Sequence, residues 1–134
     1  FPNMFMLVGP HSGGTFCNIP RCIEQNVEWV SDFIKYMRDN NLATAEATKE
    51  AEDTWTAHVD EIAEPTLFTK TKSWYMGANV PGKPRVFMPY VGGVHTYQRK
   101  LDEVIEKVFT GFETYGLAPP DLSDSQAEVS AVQN

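Results

Sequence analysis

The chain has little positive charge. Eleven Lys and Arg stand against eighteen Asp and Glu, for a net charge of −7. The cations are scattered rather than gathered into a patch, which removes the electrostatic footprint that nucleic acid or an anionic membrane needs. Long hydrophobic runs are also missing. The opening Phe1-Pro2-Asn3-Met4-Phe5-Met6-Leu7-Val8 has no basic start and no apolar stretch long enough for a leader or a membrane span. Cysteine is scarce: Cys17 and Cys22 are the only two, five positions apart with no second pair. Neither a zinc site nor a disulfide framework is expected from them. Both read as small buried apolar side chains in a reducing, cytoplasmic setting. His11, His58 and His95 have no spacing that brings two onto one ion, so no metal site is expected. The dinucleotide-binding GxGxxG pattern and the P-loop lysine motif are both absent.

What is present suits one domain: 134 residues, of which 42% are hydrophobic. Met4 to Val8 is a short apolar run ended by Gly9-Pro10, which predicts a strand buried on both faces. Arg85 to Val91 predicts a second short strand or an extended segment. Two strands cannot form a doubly covered sheet, so their neighbours are expected upstream of Phe1. Ile23, Val27, Val30, Ile34 and Met37 recur at helical spacing from a candidate N-cap at Asn18 to a stop at Asn40-Asn41. Trp29, Phe33 and Tyr36 form a second stripe, so this helix is expected to lie between two layers. A second helix is predicted from near Thr48 to before Pro65, with Ala51, Trp55, Val59 and Ile62 inward. A third is predicted from Val94 to Phe112, carried by Tyr97, Leu101, Val104, Ile105 and Val108. Residues 116–134 are poor in large apolar side chains and predict a disordered tail, leaving 1–115 as the folded part. The fold class expected is α/β, helix-rich, with one or two short strands.

Two loops carry the functional signal. The first, Gly9-Pro10-His11-Ser12-Gly13-Gly14-Thr15-Phe16-Cys17-Asn18, runs from the expected strand to the first helix. It collects free backbone N–H groups and the positive end of a helix dipole, a place that suits an electron-rich group. His11 within it reads as an exposed loop histidine, and Glu24 and Glu28 as helix-surface residues. The second loop, Ser73 to Arg85, combines Trp74 and Tyr75 with Gly77, Gly82, Pro81, Pro84, Lys83 and Arg85. Aromatic faces can cover a ribose or nicotinamide ring, and Lys83 or Arg85 can answer a phosphate.

These loops, with Ile23-Glu24-Gln25-Asn26-Val27-Glu28-Trp29 and Phe87-Met88-Pro89-Tyr90-Val91-Gly92-Gly93, resemble the C-terminal part of type I Baeyer-Villiger monooxygenases. The resemblance is greatest to the cyclohexanone and steroid monooxygenases and runs from Phe1 to about Phe112. It implies the fold of an FAD- and NADPH-dependent enzyme that inserts one atom of O2 into a ketone to give an ester or lactone. By the same resemblance Asn18 and Ile19 touch the flavin, Trp74 reaches NADP(H) from a mobile loop, and Thr15, Phe16, Met88 and Pro89 line the ketone pocket. No catalytic residue is assigned. Gly13-Gly14 departs from the family, where many members carry proline beside a small polar residue. The family's two dinucleotide-binding folds, its Phe-x-Gly-x-x-x-His-x-x-x-Trp fingerprint and its active-site arginine match nothing in this chain. The chain is therefore expected to need the upstream part of its own polypeptide and to be inactive alone. The alternative is a standalone helical ligand-binding or interaction module that descends from such an enzyme without its chemistry.

Overall fold

A computed structural model describes residues 1–12 and 17–116. Helix α1 (Ile19–Asp39) begins where the sequence places it. The Asn18 side chain accepts from the Arg21 amide, and Pro20 sits in the first turn, where its missing N–H costs nothing. It ends at Asn40, with Asn41 in the left-handed region. Strand β1 (Leu42–Ala47) follows, then helix α2 (Lys49–Ala63), whose N-cap Thr48 accepts from the Ala51 amide. Short 3-10 turns at Phe68–Lys70 and Trp74–Met76 lead through an irregular segment to helix α3 (Val94–Glu106). Strand β2 (Phe112–Gly116) closes the described chain and pairs antiparallel with β1, Leu42 opposite Gly116 and Ala47 opposite Phe112.

The fold class stands, helix-rich with two short strands, but neither strand lies where the sequence placed one. Met4 to Val8 is irregular and ends in a turn, with Val8 at φ +55°. Arg85 to Val91 has no regular structure, bends at Pro89 and pairs into no ladder among the described residues. The third helix stops at Glu106, short of Phe112. A turn with Val108 and Phe109 at positive φ reverses the chain, and Phe109 donates to the Val104 carbonyl at 2.8 Å. This reversal frees Phe112 to join β2. Of the tail expected from 116 to 134, residue 116 belongs to β2 and the rest lies outside the described residues.

Asn3 protects the open side of β1. The register slips between Leu42 and Thr44, and the Ala43 carbonyl at that bulge accepts from Asn3 Nδ2 at 2.9 Å. The Asn3 amide donates to the Ala45 carbonyl at 3.0 Å, and its Oδ1 accepts from the Ala45 amide at 2.9 Å. Asn3 itself has φ +62°, a conformation asparagine tolerates better than most residues.

Two apolar clusters hold the layers together. In the first, Phe33, Met37, Ala45 and Phe109 are buried beneath Phe5, Trp29, Tyr36, Leu42 and Phe112. Small Ala45 lets α1 approach the two strands, and the Phe33 and Phe109 rings stack with centroids 4.6 Å apart. In the second, Val59 and Ala63 of α2 meet Phe87, Tyr90 and Tyr97. Trp29 Nε1 joins the clusters by donating to the Leu101 carbonyl at 3.3 Å. Among the described residues α1 is covered on one side only, by the strands and α3 together. The side that buries is Cys22, Asn26, Phe33 and Met37, with Trp29 half-buried beside it, while Ile23, Val27 and Ile34 face outward. No helix among the described residues is long and apolar enough to cross a membrane.

Cys17 and Cys22 are joined as a disulfide with Cα atoms 6.7 Å apart, a correction to the reading of them as separate thiols. Cys17 immediately precedes the N-cap and Cys22 lies one turn inside the helix, so the first turn of α1 brings them to one side.

Candidate functional site

Two main-chain hydrogen bonds bring the candidate segments together. The His11 amide donates to the Met88 carbonyl at 2.7 Å, and the Met88 amide donates to the Tyr75 carbonyl at 2.9 Å. The end of the first loop, the Phe87-Met88-Pro89 segment and the aromatic start of the second loop thus share one junction. Its floor is apolar: Phe87 and Pro89 are buried, Phe87 beside Phe68, and Phe68 meets the Tyr75 ring edge-on.

Around this junction the second loop is shaped by its own backbone. The turn Trp74–Met76 ends at Gly77, which has φ +66° and donates to the Trp74 carbonyl. The Ser73 carbonyl accepts from both Met76 and Ala78. Tyr75 points inward and Trp74 outward: the Trp74 ring lies 4.1 Å from that of Tyr75 yet is 67% exposed. Lys83 and Arg85 are exposed and form no ion pair among the described residues. A large indole face and two unpaired cations on one loop can take an aromatic, anionic ligand.

Two polar atoms beside the junction are buried without a hydrogen-bond partner among the described residues, His11 Nε2 and Ser73 Oγ. Unpaired buried polar atoms are uncommon in folded proteins, and a water, an ion or a ligand group can complete their bonding. His11 was expected to be exposed. It is half-buried, because its main chain is tied to Met88 and Ser12 closes a tight turn onto the Gly9 carbonyl at 2.7 Å.

The other sequence-derived site residues fall into two groups. Asn18 and Ile19 are exposed at the start of α1, with Ile19 52% accessible. Met88 is half-buried and Pro89 buried at the junction. Thr15 and Phe16 lie outside the described residues. Glu24 and Glu28 are exposed on α1, as expected, and Glu24 accepts from Arg21 at 3.4 Å. Among the described residues no group of three or more His, Cys, Asp or Glu could hold a metal ion.

One polar arrangement had no sequence signal. Asn26 is the buried polar residue of α1. Its Nδ2 donates to the Cys22 carbonyl at 2.6 Å and its Oδ1 accepts from the Tyr97 hydroxyl at 3.1 Å. Burial, then the neighbouring Tyr90 phenol, pushes Tyr97 up to about 12. Tyr90 is also raised by burial, with Arg99 acting in the opposite direction. The Tyr90 hydroxyl lies 3.2 Å from His58 Nε2, and its ring stacks on Trp55 with centroids 5.5 Å apart. Gly92 lets this ring fit, since a Cβ there would stand 2.7 Å from the Tyr90 hydroxyl.

The chain is similar in sequence to known enzymes. Over 113 residues it is 46% identical to a cyclohexanone 1,2-monooxygenase from an Acinetobacter species, a match covering 84% of this chain and 20% of that protein. Over 112 residues it is 44% identical to the phenazine N-monooxygenase PhzNO1 of Lysobacter antibioticus, covering 84% of this chain and 20% of that protein. Among solved structures, cyclohexanone monooxygenase from Rhodococcus sp. Phi1 bound to NADP+ superposes with a TM-score of 0.79 at 44% identity, covering 87% of this chain and 22% of that one. OTEMO in complex with FAD and NADP superposes with a TM-score of 0.75 at 36% identity, covering 86% and 21%. The chain thus spans about a fifth of the length of the relatives it matches. No family model matches it.

Proposed function

The chain belongs with the Baeyer-Villiger monooxygenases, of whose length it spans about a fifth, and on that premise we propose that residues 1–115 form the C-terminal cofactor-edge and lid segment of such an enzyme. The reaction is the insertion of one oxygen atom of O2 into a ketone to give an ester or lactone, with NADPH as reductant. When bound, the flavin supplies oxygen activation: NADPH gives a hydride, one oxygen atom enters the product and the other leaves as water.

The observation that carries this reading is the junction of His11, Met88 and Tyr75 through main-chain hydrogen bonds. It gathers loops that are far apart in sequence into one edge. Each part then has a task. Asn18 and Ile19, at the first turn of α1, hold the flavin edge with free N–H groups and the positive end of the helix. Trp74 covers the nicotinamide cofactor, and Lys83 and Arg85 neutralise its phosphates. Thr15, Phe16, Met88 and Pro89 line the ketone site and exclude water from it. His11 Nε2 and Ser73 Oγ, unpaired among the described residues, fit a bound polar group at the same edge. No catalytic residue is assigned to this chain, and it depends on the rest of a monooxygenase polypeptide for turnover. NADPH supply places the reaction in the cytoplasm. The Cys17–Cys22 bond stands against that placement, since such bonds are usual in oxidising compartments.

The test is a full-length chimera in which this chain replaces the matched fifth of the Acinetobacter cyclohexanone monooxygenase. It is expected to bind FAD and convert cyclohexanone to a lactone in an NADPH- and O2-dependent reaction, while the 134-residue chain alone does neither. A chimera that folds and binds FAD but makes no lactone would remove the ketone reading. Oxygenation of an aromatic nitrogen instead would favour the chemistry named for the phenazine relative.

A second reading has one observation in its favour. A standalone binding module requires that the opening segment not be an unpaired strand. Met4 to Val8 is irregular, and Asn3 ties the segment to β1. NADP+ binding by the isolated chain, with no gain on joining it to a monooxygenase, would select the module.

A further inference from the structure

We propose that the outward stripe Ile19, Ile23, Val27 and Ile34 of α1 is a docking surface for the remaining four-fifths of a flavin monooxygenase polypeptide. The inference rests on the family reading above and adds the surface through which this segment joins the rest. These side chains are spaced four, four and seven residues apart, so they fall on one face of the helix. They are exposed by 52%, 37%, 42% and 53% respectively. The inward face is already filled by Cys22, Asn26, Phe33 and Met37. Glu24, Glu28, Ser31 and Lys35 are exposed and occupy a third face, where solvent is the natural partner. Apolar residues therefore cover two faces of α1, and the protein's own layers cover one.

The adjoining segment extends the same kind of surface. Phe5 packs on Phe33 of α1 with centroids 5.8 Å apart, while Met4, Met6 and Leu7 remain exposed. The amides of Phe5, Met6 and Leu7 make no hydrogen bond among the described residues. An apolar face beside unpaired backbone is the kind of surface that another polypeptide covers. The occupant follows from the relatives. Chains that superpose on this one at TM-scores up to 0.79 hold it as 22% of their length. A segment embedded in that much additional protein needs an apolar face to bind it, and this stripe is a helix face that the described residues leave uncovered.

The test compares Ile23→Asp/Val27→Asp in two settings, with Ser31→Asp/Lys35→Asp as the polar-face control. In the 134-residue chain both double variants are expected to melt within a few degrees of the parent, because these positions are already exposed. In the full-length chimera with the Acinetobacter enzyme, Ile23→Asp/Val27→Asp is expected to cut the yield of FAD-loaded protein by roughly tenfold or more, and the control to leave it unchanged. If the parent chimera binds no FAD, the family reading fails. If it binds FAD and the Ile23/Val27 variant binds it equally well, the docking surface is wrong and the family reading survives. Sedimentation of the 134-residue chain provides the other arm: a monomer is expected, and a dimer dissolved by Ile23→Asp/Val27→Asp would show that a second copy covers the stripe instead.

Discussion

The main-chain amide of His11 donates to the carbonyl of Met88 at 2.7 Å, which ties the Gly9–Ser12 turn to the Phe87–Tyr90 segment. Met88 in turn donates to Tyr75, the inward neighbour of Trp74. The second loop is therefore anchored at Tyr75, while the Trp74 side chain stays exposed, as the proposed cover over NADP(H) requires.

That asymmetry predicts opposite outcomes for the two aromatics. Trp74→Ala removes a side chain that is 67% exposed and should change the stability of the isolated chain by less than about 1 kcal/mol. In the chimera it should raise the KM for NADPH about tenfold, equivalent to about 1.4 kcal/mol of binding. Tyr75→Ala should instead destabilise both proteins by about 3 kcal/mol, because its ring packs on Phe68. Urea melts and NADPH titrations separate the two. A Trp74→Ala chimera with unchanged NADPH kinetics would remove Trp74 from the cofactor site.

Phe33 is the residue on which the first cluster depends. It has no exposed surface and meets the rings of Phe5, Trp29, Tyr36, Phe109 and Phe112. Phe33→Ala should cost about 3–5 kcal/mol and leave the isolated chain largely unfolded by circular dichroism at room temperature. Phe33→Leu keeps most of the volume and should remain folded at a cost of about 1.5 kcal/mol.

All three helices were legible in the sequence because each has a 3.6-residue apolar period; α1 and α2 add start signals at Asn18 and Thr48, whereas α3 has no side-chain cap and ends six residues short of the expected Phe112. The strands were not. Leu42–Ala47 has no alternation of large apolar and polar residues; it is a strand because Ala45 is small enough to sit beneath Phe33 and Phe109 and because Phe112–Gly116 returns to pair with it. Met4 to Val8 misled in the opposite sense, since an apolar run signals burial without naming the partner that supplies it. The site was legible only as separate segments. Backbone bonds such as His11 to Met88 leave no trace in side-chain identity, and the Asn26–Tyr97 pair links two helices whose buried faces read as apolar stripes.

The Cys17–Cys22 bond closes a short loop across the start of α1. Short loops give modest entropic gains, so reduction should lower stability by about 2 kcal/mol. Alkylation with and without prior reduction counts the thiols directly. Without reduction no thiol should be modified, and after it both should be. Asn18, the N-cap residue beside Cys17, should then show faster amide exchange. Two free thiols in the untreated protein would show that the two residues are not joined and restore the reading of them as separate apolar side chains.

Tyr97 makes stability depend on pH at the alkaline end. Its hydroxyl donates to Asn26 and its phenol is pushed up to about 12 from the ordinary 10.0, mainly by burial. The unfolded chain therefore loses this proton first. Below about pH 10 both states hold it and the contribution is complete. Between about pH 10 and about 12 the folded state binds one more proton than the unfolded state, so stability falls by up to about 1.4 kcal/mol per pH unit. Tyr97→Phe should cost about 1–3 kcal/mol at neutral pH, by leaving the Asn26 oxygen unpaired. It should also flatten the alkaline slope, leaving the part due to Tyr90, which is raised in the same direction. Urea unfolding of the parent and the variant at neutral pH and near pH 11.5 measures both effects. A variant whose alkaline slope equals the parent's would mean that the Tyr97 phenol ionises in the folded chain as readily as in water.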